Sequence, residues 1–314
     1  MKHTWKRFLE CGVRCVAGVV LVCTLPAVAQ NLESGGLPVH TYVTVRSKAD
    51  PPPPVTAENL QVKEAGKPAQ VTGLSPVLNG GKGIELAFVI DDSLRANVSA
   101  QFNDIRAFFK TLPPGVDVFV GYMENGRVLP ATPGFTTDHE VADKALRIPM
   151  GVPGGNASPY FCLSDLVKSW PSRGTGKARV VFMVTNGVDN YTGINPLNDD
   201  SPYVDAAIRD AQKADVLVYS LYFSDQGLDG RGSFSGQNYL SKVAQSTGAQ
   251  TYYEGTGNPV SFAPFLNQFS GDLARLYELK FLAHGSGLQT LKVSTDMKGV
   301  KLGSPDMVYV GEPE

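Results

Sequence analysis

The sequence contains few cysteines, few histidines and no excess of charge of either sign. Four cysteines and four histidines occur in 314 residues, and 28 lysines and arginines stand against 30 aspartates and glutamates. A nucleic-acid-binding protein normally carries a basic excess, so no nucleic acid is expected as a partner. Zinc catalysis is not expected either, because no His-Glu-x-x-His pattern is present and scattered histidines make a poor ligand set. Hydrophobic residues form 42% of the chain, which is typical of a folded globular protein.

No apolar run is long enough to cross a membrane. A short apolar run lies near the start of the chain. Basic residues accompany the apolar stretch Val16 to Leu25, and Ala27-Val28-Ala29 then forms a small-residue cleavage pattern. This order predicts a signal peptide over residues 1–29, cleaved near Ala29. The stretch of about 10 residues is too short for a membrane span, which needs roughly 20. We therefore expect a secreted or periplasmic protein with no membrane span in its mature chain.

Removal of this leader would leave a single cysteine. Cys11, Cys15 and Cys23 lie in the leader, and only Cys162 remains. The mature chain is then expected to form no intramolecular disulfide. Cys162 stands beside Phe161 in a helical pattern, and we interpret it as a small buried hydrophobic residue.

Strand patterns and helix patterns alternate through the middle of the chain. Almost continuously apolar runs such as Ile84 to Ile90 are typical of strands covered on both faces of a parallel sheet. The predicted strands are 84–90, 116–123, 180–184, 216–223 and 251–253, and the predicted helices are 98–109, 141–146, 159–170, 205–214, 239–245 and 262–276. This alternation predicts an α/β fold with a doubly wound, mainly parallel sheet.

The two ends of the chain have a different pattern, in which apolar and polar residues alternate. Residues 39–46 predict a half-buried strand, residues 58–75 predict a hairpin, and strands return after residue 277. We expect these end strands to pair as a small accessory β module. The predicted organisation is a β segment at 30–83 with a Pro-rich loop at Pro51 to Pro54, an α/β domain at 84–276, and C-terminal strands at 277–314.

Polar residues cluster where two of the predicted strands end. Asp91-Asp92-Ser93-Leu94-Arg95 follows the first strand, and Thr185 to Asn190 follows another. Between them in sequence, Gly154 to Ser158 opens a predicted helix. Ligands of open α/β sheets bind at the carboxyl ends of the strands, so these segments are the candidate site.

These strand ends resemble those of the von Willebrand factor A-type domain. The stretch Val55 to Pro68 is also similar to the β segment that precedes this domain in exported bacterial proteins described as VWFA-related. The resemblance covers roughly residues 38–314. It implies an α/β fold and a metal-ion-dependent adhesion site built from an Asp-x-Ser-x-Ser loop, a Thr and an Asp. In that family a partner's carboxylate commonly completes the metal shell.

The chain departs from this pattern at several positions. Asp91 and Ser93 match, Arg95 replaces the second serine, Ser158 stands at the threonine position, and Asn186 replaces the third-loop aspartate. The loss of a carboxylate and the gain of a guanidinium shift the site by about two charge units against a cation. Two unit charges a few ångströms apart interact with an energy of about 4 kcal/mol at an effective dielectric constant of about 20. We therefore expect a degenerate site, where Asp91, Ser93 and Ser158 bind Mg²⁺, Mn²⁺ or Ca²⁺ weakly or not at all. The residues Asp92, Asn156 and Asp189 are possible auxiliary members.

Arg95 allows two interpretations. Its guanidinium occupies the place of the metal and pairs with Asp91 or Asp92, or it points into solvent from the loop. The residues do not decide between the two.

Competing enzyme motifs fit poorly. Gly174-Thr175-Gly176-Lys177 resembles part of a phosphate loop, but Pro171 stands where the first glycine belongs, and the segment precedes a strand. Gly230 to Gly236 has neither dinucleotide-binding spacing nor a serine at the nucleophile position, and we interpret it as a loop.

We therefore expect a non-enzymatic protein-interaction or adhesion-type module. Its partner is a protein, and an acidic side chain of that partner is a natural contact for Arg95. Two alternatives stay open, namely adhesion through a working divalent-metal site and an extracytoplasmic enzyme of unrecognised type.

Overall fold

The computed structural model describes residues 36–49, 53–151, 158–189, 201–224, 230–255 and 257–311, without the side chains of residues 230–233. The chain divides into the units Met1–Gly35 and Gly36–Glu314, and every described residue belongs to the second. The predicted signal peptide and Asn156 lie outside the described residues.

A six-stranded sheet forms the centre of the α/β part. Its strands are β4 (Ile84–Asp91), β5 (Val116–Glu124), β6 (Arg127–Pro130), β7 (Ala178–Thr185), β8 (Val216–Tyr222) and β9 (Thr251–Tyr252). The spatial order is β6-β5-β4-β7-β8-β9, and only the edge pair β5–β6 is antiparallel. When these strands are renumbered 1 to 6 from β4 to β9, the spatial order is 3-2-1-4-5-6, which is that of a doubly wound fold. The predicted fold class is confirmed.

In the described part of the chain, six helices accompany this sheet. They are α1 (Phe102–Thr111), α2 (His139–Lys144), α3 (Pro159–Lys168), α4 (Pro202–Lys213), α5 (Gly230–Ser246) and α6 (Ala263–Ala274), and short 3-10 helices span Ala57–Asn59 and Ala96–Gln101. Helices α1, α2 and α6 share one core with one face of the sheet, and α3, α4 and α5 share a second core with the other face.

All eight residues of β4 are buried, because both of its faces are covered. Leu86, Phe88 and Ile90 lie in the first core, whereas Ala87 and Val89 lie in the second. Side chains of a strand alternate between faces, so a continuous apolar run is required where both faces are dry.

The chain ends build a second, antiparallel sheet of seven strands. The strands are β1 (Leu37–Ser47), β2 (Leu60–Glu64), β3 (Lys67–Pro76), β10 (Leu276–Ala283), β11 (Gly287–Thr295), β12 (Val300–Gly303) and β13 (Met307–Val310), in the order β12-β1-β10-β3-β2-β11-β13. Val39 pairs with Phe281, and Val62 pairs with Val293. The predicted pairing of N-terminal and C-terminal strands is confirmed, while the domain boundaries stay a prediction.

Two predicted helix boundaries were wrong. The stripe from Val98 to Phe109 is divided between a 3-10 helix and α1, since Val98 N–H donates to the Arg95 carbonyl three residues back at 3.1 Å. Residues Gly230–Gly236, interpreted as a loop, form the first turns of α5. A periodic apolar pattern locates a helix but does not show where the glycine-rich turn before it becomes helical.

Within the described part of the chain, no helix is both long and apolar enough to cross a membrane.

Candidate functional site

The two predicted strand ends meet at one edge of the six-stranded sheet. Strands β4 and β7 are parallel neighbours, with Ile90 opposite Val184, so Asp91 and Thr185 follow at the same level. The Thr185 hydroxyl donates a hydrogen bond to Asp91 Oδ2 at 2.7 Å. The order of the strands thus brings together side chains 94 positions apart.

Asp91 is held by three hydrogen bonds inside the protein. In addition to Thr185, the backbone N–H and the hydroxyl of Ser93 donate to its Oδ1 at 2.9 and 2.7 Å. Only 3% of Asp91 is exposed. Burial raises the pKa of Asp91, and the hydrogen bonds from Thr185 and Ser93 oppose that rise without cancelling it.

Ser158 occupies the N-cap position of α3 and is fully buried. Its hydroxyl has no hydrogen-bond partner among the described residues and makes no capping bond. A buried hydroxyl without a partner costs free energy, so this oxygen is the one group of the predicted site whose bonding capacity is unused by the described residues.

Asn186 and Asp189 are buried as well, and both have local partners. Asn186 Oδ1 accepts the backbone N–H of Val188 at 2.9 Å, which closes a turn after β7. The Ser201 hydroxyl, at the N-cap of α4, donates to Asp189 Oδ2 at 2.5 Å. Asn186 therefore fixes the turn at residues 186–188, and Asp189 is tied to the start of α4.

Arg147, which the sequence analysis did not single out, is the guanidinium that binds Asp92. Its Nη1 lies 2.6 Å from Asp92 Oδ1 and its Nη2 lies 3.2 Å from Oδ2. The guanidinium also stacks on the Tyr122 ring, with 3.8 Å between its central carbon and the ring centroid. The backbone N–H of Met150 adds a third bond to Asp92 at 3.0 Å.

Arg95 itself is exposed, at the start of the 3-10 helix. The described bonds of Asp91 come from Ser93 and Thr185, and those of Asp92 come from Arg147 and the backbone of Met150. Asp92 thus has a guanidinium partner, Arg147, from outside the predicted site, and both interpretations of Arg95 stay predictions.

Thr185 could have been found from the sequence, because it ends a buried strand beside the strand that carries Asp91. Arg147 could not, because it lies 55 residues from Asp92 in a loop after α2 and has no recognisable spacing.

The donor atoms are oxygens, as a hard cation requires, but they carry too little negative charge. Asp91, Ser93 and Ser158 offer a carboxylate and two hydroxyls, which are the oxygen ligands that Mg²⁺ and Ca²⁺ prefer. Asp91 is the single carboxylate of the set, and its raised pKa weakens its anionic character. Among the described residues, no three His, Cys, Asp or Glu side chains are grouped so that they could hold a metal ion.

Exposed apolar side chains lie on several segments at this edge of the sheet. We call the following set the loop face, since each member lies on a segment that follows or adjoins a carboxyl strand end: Ile148, Met150, Phe234, Tyr253 and Val260. Met150 is 75% exposed although its backbone bonds to buried Asp92, and Val260 is 92% exposed. Leu37 and Leu129 are the other large apolar residues exposed in the described part of the chain.

Cys162 has the properties expected of a core residue. It is fully buried in the second core, and burial raises its pKa to about 12. A thiol with this pKa is not a nucleophile at neutral pH.

No family model matches the chain, and no curated protein matches it. Similar solved structures include the conserved hypothetical protein BatB from Bacteroides thetaiotaomicron, 15% identical over 61% of this chain and 98% of its own, with a TM-score of 0.43. A von Willebrand factor type A protein from Catenulispora acidiphila is 10% identical over 88% of this chain and 75% of its own, with a TM-score of 0.40.

A third similar structure is proximal thread matrix protein 1 from the mussel byssus, described with a zinc-occupied MIDAS motif. It is 14% identical over 65% of this chain and 48% of its own, with a TM-score of 0.41. Similarities of this size concern the fold alone. The fold assignment rests on the strand order of the chain itself.

Proposed function

We propose that this chain is a non-enzymatic, extracytoplasmic protein-interaction module that binds a protein partner through its loop face. The proposal places Asp91, Ser93, Arg95, Ser158 and Asn186 at the centre of the binding surface. It assigns them a degenerate metal-ion-dependent adhesion site, which binds a divalent cation weakly or not at all.

The observation that carries the proposal is the position of the exposed apolar side chains. Five of the seven large apolar residues that are exposed in the described chain lie on the loop face. Isolated surface apolar residues are normal, but their concentration at one edge is typical of a surface that another protein covers. The buried hydrogen bonds of Asp91 and Asp92 give these loops a rigid base.

Charge supports a metal-independent mode. A cation at this edge would have to be held by one carboxylate whose proton affinity is already raised by burial. Arg95 is exposed beside the site, and its guanidinium suits a carboxylate of the partner. In this arrangement the positive charge that meets the partner comes from the protein and not from a bound ion.

A test of the proposal combines affinity capture with two variants of equal chemistry. The bait is the purified protein, and the source is the extracytoplasmic fraction of the cells that produce it, with a chelator present throughout. Met150→Ser with Val260→Ser removes two loop-face side chains, and Leu37→Ser removes a similarly exposed residue from the other sheet. We expect one partner to bind the wild-type protein and Leu37→Ser equally, and to bind the double variant at least tenfold more weakly.

Two results would contradict the proposal. Equal binding by the double variant would show that the loop face is not the interface. Capture that is absent in the chelator but occurs in a parallel assay with added Mg²⁺ or Ca²⁺ would favour the alternative of metal-dependent adhesion.

A further inference from the structure

A cavity lies at the opposite edge of the six-stranded sheet, where its parallel strands begin. It has a volume of about 350 Å³, at the lower end of the range of small-ligand sites. Its walls come from the segments that precede β4, β7 and β8, and from β1 and β13 of the seven-stranded sheet. The segment Gly174 to Lys177, which did not fit a phosphate loop, forms one wall.

The charged groups that line this cavity are mostly cationic. Lys82, Lys177, Arg179 and Lys213 line it, and among the described lining residues Asp215 is the one that carries a carboxyl group. Lys82 and Lys177 are held by carboxylates outside the lining: Glu278 lies 2.6 Å from Lys82 Nζ, and Asp117 lies 2.5 Å from Lys177 Nζ. These pairs fix both ammonium groups beside the cavity.

Asp215 has an unusual backbone and an unsatisfied oxygen. Its φ of 51° lies in the left-handed region, which few residues other than glycine, asparagine and aspartate adopt. Its Oδ1 accepts the Thr41 hydroxyl at 3.1 Å, whereas its buried Oδ2 has no hydrogen-bond partner among the described residues. His40 Nε2 lies 3.6 Å from Oδ2, beyond hydrogen-bond distance.

We propose that this cavity is a binding site for a small oxyanion, either a carboxylate or a phosphate, held by Lys82, Lys177, Arg179 and Lys213. Asp215, when protonated, donates a hydrogen bond from the cavity floor to the same anion. Burial raises the pKa of Asp215 to about 7, so a protonated carboxyl is available below neutral pH. This site is independent of the loop face, from which it is separated by the length of the strands.

Calorimetric titration of the purified protein with inorganic phosphate, and separately with succinate, tests this assignment at constant ionic strength. We expect saturable binding of at least one of the two. Saturation by phosphate alone assigns the site to phosphorylated ligands, and saturation by succinate alone assigns it to carboxylates. Saturation by neither overturns the proposal.

A variant in the cavity and a matched control outside it distinguish weaker binding from a loss of folding. Lys213 is exposed, so Lys213→Glu should fold and weaken binding about fivefold. Lys298→Glu, at an exposed turn outside the cavity, is the matched control and should bind as the wild type does.

Asp215→Asn keeps an acceptor for Thr41 and suits the left-handed backbone, but it removes the negative charge. At pH 8, where the wild-type carboxyl is ionised, this variant should bind the anion several times more tightly than the wild-type protein does. Equal affinities of Lys213→Glu and Lys298→Glu, or weaker binding by Asp215→Asn at pH 8, would overturn the proposal.

Discussion

Asp91 combines deep burial with three hydrogen bonds, and this combination determines the chemistry of the strand-end site. Ser93 and Thr185 supply the donors from two neighbouring strands. An ionised carboxylate can stay inside the protein only where such donors replace water. These bonds join the carboxyl ends of β4 and β7.

Replacing Thr185 should expose this dependence. Thr185→Val removes the donor to Asp91 at nearly constant volume and should lower the free energy of unfolding by about 1–3 kcal/mol at pH 7. Burial already raises the pKa of Asp91, so its contribution to stability decreases as pH rises through that pKa. Without the Thr185 bond the pKa rises further, and the loss should be larger at pH 7 than at pH 4.

Urea unfolding at both pH values measures this effect, with Thr185→Ser as the control that keeps the hydroxyl. A serine variant as unstable as the valine variant, or a loss that does not change with pH, would contradict the account.

At the scale of single residues, the sequence predicted part of the site. An Asp-x-Ser after a buried strand led to Asp91 and Ser93, and the structure joins these two side chains by a hydrogen bond. Their role in a binding site stays a prediction. Arg147 was missed, because its bond to Asp92 depends on the path of a loop that carries no pattern. Asn156 lies outside the described residues.

Among the elements, α5 shows how a glycine-rich segment can be helical. Gly236 lies in this helix, and a Cβ placed there would come within 2.0 Å of the Asn186 carbonyl oxygen. Helix α5 thus packs directly against the backbone of the loop that follows β7. Glycine is required at this point by close approach, and not by a turn, which explains why the sequence analysis interpreted the segment as a loop.

Adding one methyl group to this contact should displace α5 or the loop. Gly236→Ala raises the helix propensity of α5, yet it should lower the free energy of unfolding by about 1–3 kcal/mol, because the new Cβ meets backbone. Gly271→Ala in α6 is a matched control, since its Cβ would meet only the flexible end of Arg275 at 3.0 Å. We expect that control to be neutral or stabilising by up to about 1 kcal/mol.

Thermal unfolding of the two variants compares them directly. A Gly236→Ala protein that is as stable as Gly271→Ala would show that α5 does not approach Asn186 so closely.

At the scale of the whole molecule, the sequence predicted both sheets, but one of them less completely than the other. Apolar runs such as that of β4 predicted the parallel sheet, and the alternating patterns of β1 and β10 predicted the pairing of the chain ends. The short strand β12 was not predicted, because its four residues have too little pattern. The cavity between the sheets could not be predicted either, since it depends on how segments far apart in sequence meet.

Asp215 should make the stability of the whole fold depend on pH. Its pKa is raised by burial from 3.8 to about 7, so the folded state favours the protonated form and stability decreases as pH rises from about 4 to 7. Asp215→Asn removes this decrease. Between pH 4 and pH 8, the free energy of unfolding of the variant should therefore rise relative to that of the wild type by about 2 kcal/mol. This figure allows for the partial exposure of the Asp215 side chain.

Urea unfolding at pH 4 and pH 8 measures this difference, and Asp296→Asn, at an exposed position, is the control. A stability difference between wild type and Asp215→Asn that does not change with pH would show that Asp215 ionises as easily in the folded state as in the unfolded one.

The most direct test of the central claim is calorimetric titration of the chelator-treated protein with Mg²⁺, Mn²⁺ and Ca²⁺. The proposal of a degenerate site predicts no binding in the micromolar range for the wild type. It predicts a gain of divalent affinity when Arg95→Ser and Asn186→Asp together restore the hydroxyl and the carboxylate of the family pattern. Micromolar binding by the wild-type protein would contradict the account and establish Asp91, Ser93 and Ser158 as a working metal site.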